Sequence, residues 1–308
     1  MPIATPWGNL EVSDAHIHFF SHRFFSLLAA QRGGLSASDL GPILGWEIPA
    51  APPEELAARW VSELDRHGVK RAALIASLPG DEESVDAAVA AFPDRFYGYF
   101  MANPCAPDAA IRVEKMLSGG RMRGLCLFPA MHRYSIQSEQ AATLLEFANR
   151  QPGTVVFVHC GALTVGVRKK LGLPSPFDMS FSNPIDLHTV ALRFPQLRFV
   201  VPHFGAGYFR ETLMLADLCQ NVYLDTSSSN SWMRYQAAEI DLTQVFRRSL
   251  DVVGPQRLLF GTDSSFFSRG WQRSIFDAQV VALMEVGIGA DDARLIFGRN
   301  LERLLLRR

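Results

Sequence analysis

Hydrophobic and polar positions along the 308-residue chain switch repeatedly between two periods. Short runs rich in β-branched and aromatic residues have the length of strands. Each is followed by a longer stretch whose apolar residues recur every three or four positions, as on one face of a helix. The strand-like runs are LEVSDAHIHF, KRAALIAS, RFYGYFMAN, MRGLCLF, TVVFVHC, LRFVVPHF, VYLDTS and RLLFGTD, eight in all. The first helical stretch is PPEELAARWVSELDRHG, with Leu56, Trp60, Val61 and Leu64 on one side. Prolines open it, glutamates fill its first turn and Gly68 closes it, each the residue type that helix end favours. DEESVDAAVAAF, APDAAIRVEKMLSGG, SEQAATLLEFANR, NPIDLHTVALRF, RETLMLADLCQ and TQVFRRSLDVVG carry the same spacing, and SIFDAQVVALMEVG and DARLIFGRNLERLLL follow the last strand.

Strict strand–helix alternation predicts a parallel sheet, and eight repeats is the number that closes a (β/α)₈ TIM barrel. Such a barrel takes about 250 residues. The surplus lies in two places, residues 19–53 after the first strand and a Gly/Pro/Ser-rich stretch at 160–183 after the fifth. Long connections of this kind tend to be lids or binding loops, so both are expected to be lid-like insertions that shape the pocket mouth. No repeat, low-complexity tract or linker divides the chain, and residues 1–308 read as one domain. An open doubly wound sheet is the competing architecture, but the Gly-rich phosphate loop expected after an early strand is missing.

Composition narrows the partners. The chain is 48% hydrophobic and 20% charged with a net charge of −1, so it has ample material for a core and no basic field for nucleic acid or anionic membrane. No apolar run reaches bilayer-spanning length. The first residues, MPIATPWGNLEVSD, have no basic and then apolar leader pattern, and the cysteines at 105, 126, 160 and 219 form no CxxC motif. The expectation is a cytoplasmic protein with reduced thiols that acts on a small molecule, with room for a homodimer.

The candidate chemistry begins in SDAHIHFF. In an extended chain Asp14, His16 and His18 share a face, and histidines at i and i+2 can aim their ring nitrogens at one point, as a metal requires. In a barrel, the C-terminal strand ends carry the active site. The first strand ends in His16 and His18, the fifth in His159, the sixth in His203 and the eighth in Asp263. Four of the chain's eight histidines therefore fall on the one rim where barrel enzymes keep their chemistry. Of the others, His67 lies in the last turn of a helix, where a cation suits the dipole. His188 lies within a helix. His22 and His132 follow the first and fourth strands, within reach of a pocket.

Together, DAHIHF, GYFMANP, RGLCLFP, VHCG, PHFGAG, FGTDSSF and GRNLERLL resemble the landmarks of the amidohydrolase superfamily, in its order and over nearly the whole chain. The branch is the amidohydrolase-related one that includes aminocarboxymuconate-semialdehyde and resorcylate decarboxylases. The resemblance implies a barrel holding a divalent metal, usually zinc, with His16, His18, His159 and Asp263 as ligands and His203 beside the metal as acid/base or polarising group. Many members carry a fourth-strand lysine that bridges two metals. Here RGLCLFP has Cys126 and Leu127 in that region, which argues for one metal ion and makes Cys126 a buried core residue. Asp14, one step deeper in the strand than His16, reads as a supporting carboxylate.

Such a centre suits a hydrolase in which a metal-activated water attacks a carbonyl, ester, lactone or amide, with Asp263 taking the water proton. It equally suits a non-oxidative decarboxylase of a small carboxylic acid, aromatic acids included. A purely structural metal site has no use for a fifth His-or-Asp position. Arg23, Arg168, Arg210 and Arg269 follow strands 1, 5, 6 and 8 and are candidates to meet an anionic substrate. Phe19, Phe20, Trp46, Phe266 and Trp271 are candidates to line an apolar pocket.

Overall fold

The computed structural model describes residues 2–163, 165–228 and 230–305. After a short antiparallel hairpin, Ile3–Thr5 with Gly8–Leu10, the chain lays down β1 Val12–His18, β2 Val69–Ala76, β3 Phe96–Ala102, β4 Met122–Leu127, β5 Val155–Val158, β6 Arg198–Val201, β7 Val222–Asp225 and β8 Leu258–Leu259. These strands form one sheet in sequence order, and every neighbouring pair is parallel. The first and last strands meet through backbone bonds from Ala15 N to Phe260 O (2.8 Å), His18 N to Ser264 O (2.8 Å) and Asp263 N to His16 O (3.0 Å). The architecture is the expected TIM barrel.

Period-two alternation within each strand builds two cores. Ala15, Ala73, Ile75, Tyr99, Cys126 and Phe157 fill the barrel interior, with Leu301 and Leu304 of the C-terminal helix in the same cluster. Val12, Leu74, Phe100, Leu125, Val156 and Phe199 belong to the larger outer core beneath the helices. Burial on both faces is why these strands read as nearly continuous apolar runs. The barrel helices are α1 Pro53–His67, α2 Glu82–Ala91, α3 Ala109–Ser118, α4 Glu139–Arg150, α5 Leu187–Arg193, α6 Phe209–Leu218, α7 Leu242–Val253 and α8 Arg273–Val286. Gly68 ends α1 at φ 73°, a left-handed position open to glycine at little cost.

The two insertions pack on each other. Residues 19–53 form the helices His22–Arg32 and Leu40–Leu44, and residues 160–183 form the helix Gly166–Lys170. Phe24, Phe25, Leu28, Leu40, Leu44, Val167 and Leu171 make a small core of their own. Arg168 donates to Gln31 Oε1 at 2.7 Å, and Lys170 donates to the Leu44 carbonyl at 3.0 Å. Among the described residues no helix is long and apolar enough to cross a membrane.

Two strand ends are shorter than their hydrophobic runs suggest. β6 stops at Val201 because Pro202 has no N–H for the ladder, and His203 sits on a short 3₁₀ turn. The β8 ladder is only Leu258–Leu259, so Asp263 lies on the segment just beyond it.

Candidate metal centre

His16 and His18 leave β1 on the same face, and their Nε2 atoms are 3.3 Å apart. Asp263 Oδ1 lies 3.6 Å from His16 Nε2 and 3.2 Å from His18 Nε2. These are one ligand-type group: the offered atoms of all three residues fall within 4.8 Å of one another. The residues behind the rings set their protonation. His16 Nδ1 is 2.7 Å from Asp225 Oδ2, and a carboxylate can only accept, so Nδ1 donates. His18 Nδ1 is 2.7 Å from Ser77 Oγ. That hydroxyl donates to the Ile75 carbonyl, so His18 Nδ1 donates to the hydroxyl. Both Nε2 atoms then carry lone pairs that face each other and a carboxylate oxygen. Without a cation that convergence is electrostatically unfavourable; with one it is a ligand set, its outer nitrogens held as metal-binding histidines usually are.

The surroundings shift each group in a consistent direction. Burial raises the Asp263 carboxyl, but the neighbouring His18, His16 and His203 outweigh it and hold it well below the usual carboxylate range. Asp225 is also held down. Burial opposes this, but His16 and His203 and the Ser227 N–H prevail. Burial is the largest influence on His18, His159 and His203, and it keeps all three rings uncharged at neutral pH. His16 moves upward because Asp225 outweighs the cost of burial.

His203 lies against His16, with ring centroids 5.0 Å apart. Its Nδ1 is 3.2 Å from the Ser227 carbonyl, which can only accept, so the proton is on Nδ1 and the Nε2 lone pair is free for the cavity. His159 lies 5.5 Å from His203 by ring centroids and stacks on Phe128. It stands beside the three-residue group, outside the set of atoms within 4.8 Å. Asp14 does what its depth suggests. It is fully buried and accepts from His16 N, Thr262 N, Thr262 Oγ1 and Trp271 Nε1, tying β1 to the segment after β8.

Backbone shape explains the small residues in the motifs. Gly161 has φ 78°, and a Cβ there would sit 2.1 Å from the Gly205 carbonyl. Only glycine lets the loops carrying His159 and His203 touch, and they are joined by Ala162 N donating to Ala206 O at 2.8 Å. His203, Phe204, Ala206 and Asp263 all take positive φ, a strained geometry that concentrates at functional sites.

A cavity of about 730 Å³ opens over this centre. His16, His18, His159, His203 and Asp263 all line it, and so do Phe20, Trp46, Leu163 and Val167 from the two insertions. Side chains from both segments thus line the cavity. Phe266, Arg168, Arg269 and His132 line it too, whereas Phe19 and Trp271 turn into the protein interior and are buried. Arg23 bonds the Gly80 carbonyl, Arg210 pairs with Glu211, and neither lines this cavity. His22 bonds Ser26 within its helix, and His67 pairs with Glu63. Cys126 is in the barrel interior, and burial raises the Cys160 thiol to about 12, so both are inert. Asp225, Ser77 and Ser227 are the site residues that the motif reading missed. Asp225 carries the same signal as the others, a carboxylate at the end of VYLD.

The amidohydrolase family model matches residues 13–307. Protein fluG of Emericella nidulans is 36% identical over 86 residues, a stretch covering 28% of this chain and only 10% of that protein. Two solved structures overlay nearly the whole chain. A probable 2-pyrone-4,6-dicarboxylic acid hydrolase from Acinetobacter baumannii matches with a TM-score of 0.63 and 14% identity, over 96% of this chain and 99% of that one. A 5-carboxyvanillate decarboxylase from Novosphingobium aromaticivorans, holding manganese, matches with a TM-score of 0.59 and 13% identity, over 96% and 97%. At these identities the likeness is one of fold.

Proposed function

Since the chain belongs to the amidohydrolase family, we propose that it is a metal-dependent hydrolase of a small ester, lactone, amide or other activated carbonyl compound. The observation that carries this reading is the convergence of the His16 and His18 Nε2 lone pairs on Asp263 Oδ1, with both outer nitrogens already engaged. His16, His18 and Asp263 would hold one divalent ion, with His159 as a fourth ligand. The nitrogen-rich donor set suits zinc. When bound, such an ion acts as a Lewis acid and brings the pKa of a bound water from about 16 to about 7.

The chain's own residues supply the proton transfers. Asp263, side chain 33% exposed on the cavity side, has a second oxygen free to take a proton from the attacking water. His203, neutral and with its Nε2 lone pair available, receives that proton and returns it to the leaving group. Ser227 and Asp225 hold the rings of His203 and His16 in place, so neither has to reorient during the reaction.

The test joins metal analysis to a substrate screen. The purified protein should carry about one divalent ion per chain, lose activity on chelation and regain it with zinc. Esters, lactones and carboxylated aromatics are then screened with separate assays for carbonyl hydrolysis and CO₂ release. Two ions per chain would refute the mononuclear centre. CO₂ release without hydrolysis would replace this reading with decarboxylation, the activity of one of the structural neighbours.

A further inference from the structure

One polar side chain in the cavity wall has no part in the metal centre. His132 ends the short helix Pro129–His132 after β4, across the barrel from β1 and β8, which carry the triad. Its ring lines the same cavity as His16, His18 and Asp263. Its Nδ1 is enclosed and has no hydrogen-bond partner among the described residues. Nε2 is not enclosed and is therefore the ring's open atom.

That asymmetry selects the tautomer. A proton on Nδ1 would be a buried donor with nothing to receive it, an arrangement proteins avoid. The proton sits on Nε2 instead, and the ring offers the cavity a fixed N–H. Burial, which lowers its pKa to about 4, keeps it uncharged at neutral pH. The cavity's cationic side chains each have a protein partner. Arg168 is bound to Gln31 and the Pro174 carbonyl, Lys170 to the Leu44 carbonyl, and Arg269 to the Asp263 carbonyl and Ser265.

We propose that His132 is a specificity-determining residue that donates a hydrogen bond from Nε2 to a second oxygen of the substrate, at the end remote from the His16–His18–Asp263 triad. An uncharged donor can bond to a carbonyl, ether, hydroxyl or carboxylate oxygen. With Arg168 and Lys170, from the loop after the adjacent strand β5, lining the same cavity, a cationic group is disfavoured there. The substrate class is then an oxygenated, neutral or anionic molecule with one oxygen function at the metal centre and another across the pocket. The proposal rests on the hydrolase reading, because it assumes that the reacting carbonyl sits at the triad.

Two measurements test it. Long-range ¹H–¹⁵N spectra of histidine-labelled protein, with His132 assigned from the His132→Gln spectrum, should show a neutral Nε2–H ring unchanged between pH 6 and 8. An Nδ1–H tautomer, or a ring that charges in that range, overturns the donor assignment without reference to activity. On the best substrate from the screen, His132→Phe should raise KM about three- to tenfold, the worth of one neutral hydrogen bond, at full metal content and with little change in kcat. His132→Gln, which places an amide N–H near the Nε2 position, should recover most of that loss. Unchanged KM in His132→Phe overturns the proposal. A wild-type enzyme that turns over nothing in the screen counts against the hydrolase reading, and the spectra still decide the tautomer.

Discussion

Asp225 Oδ2 lies 2.7 Å from His16 Nδ1, and both residues are buried. The contact fixes the ring of a proposed ligand from behind and leaves its Nε2 unprotonated towards His18 and Asp263. Asp225→Asn keeps the shape but removes the charge, and it can present its N–H₂ where an acceptor is needed. Metal affinity should fall by about 10–100-fold, the usual effect of losing such a partner. Competition with a chromogenic chelator measures it, and an unchanged affinity would show that His16 is oriented without Asp225.

Gly261, in the FGTD motif, is held by the same contacts. A Cβ there would lie 2.9 Å from His16 Cβ, 3.0 Å from Asp225 Oδ1 and 3.0 Å from Ser227 Cβ. Gly261→Ala should cost about 1–3 kcal/mol of stability, as overpacking does, and should weaken metal binding by pushing His16 and Asp225 apart. Chemical denaturation with metal titration checks both. Wild-type affinity in the alanine variant would mean that the pair tolerates displacement.

The rim was legible in the sequence because a barrel strand's end is a fixed place. A histidine or aspartate that ends such a run must face the pocket mouth, and His16, His18, His159, His203 and Asp263 all do. Asp225 satisfied the same rule but belonged to none of the motif's histidine pairs. Loop residues were not legible in this way, since loops have no period to fix side-chain direction. Trp271 and Phe266 lie five residues apart, yet one donates its indole N–H to Asp14 in the interior while the other stacks on Trp46 at the pocket wall. Ser77 carries no metal-type chemistry, and only the structure shows it behind His18.

Replacing site residues one at a time should separate ligation from proton transfer. His16→Ala removes a proposed ligand and should lose metal and activity together. His203→Asn should keep its metal, because His16, His18, His159 and Asp263 remain, yet lose activity by ~10²-fold or more, the scale of an acid/base contact. Asp263→Asn is intermediate: an amide oxygen can still touch the ion but cannot take a proton, so turnover falls further than occupancy. Metal analysis and steady-state kinetics on the same preparations decide it. If His203→Asn loses metal as fully as His16→Ala, His203 is a ligand and the roles must be reassigned.

Asp81 gives a prediction about stability against pH. It is fully buried, accepts from Ser21 Oγ and Ser84 Oγ at 2.6 Å each, and among the described residues has no partner for Oδ2. Through Ser21, the N-cap of the helix His22–Arg32, it anchors the first insertion to the start of α2. Burial raises its pKa from 3.8 to about 6, against the pull of its two serine donors and Arg23. Between those values the folded protein keeps a proton that the unfolded chain has released. The sign follows: stability associated with Asp81 is present below about pH 4 and is lost as pH rises through about 6, by up to roughly 3 kcal/mol at 1.36 kcal/mol per pKa unit. Asp14, also raised to about 6 by burial, contributes a slope of the same sign, so the measurement has to be a difference. Urea denaturation of wild type and Asp81→Asn at pH 4.5 and pH 7 provides it. An asparagine oxygen still accepts from both serines and does not titrate, so relative to wild type the variant should gain stability between the two pH values. Parallel losses in the two proteins would mean that Asp81 ionises in the folded state as freely as it does in the unfolded chain.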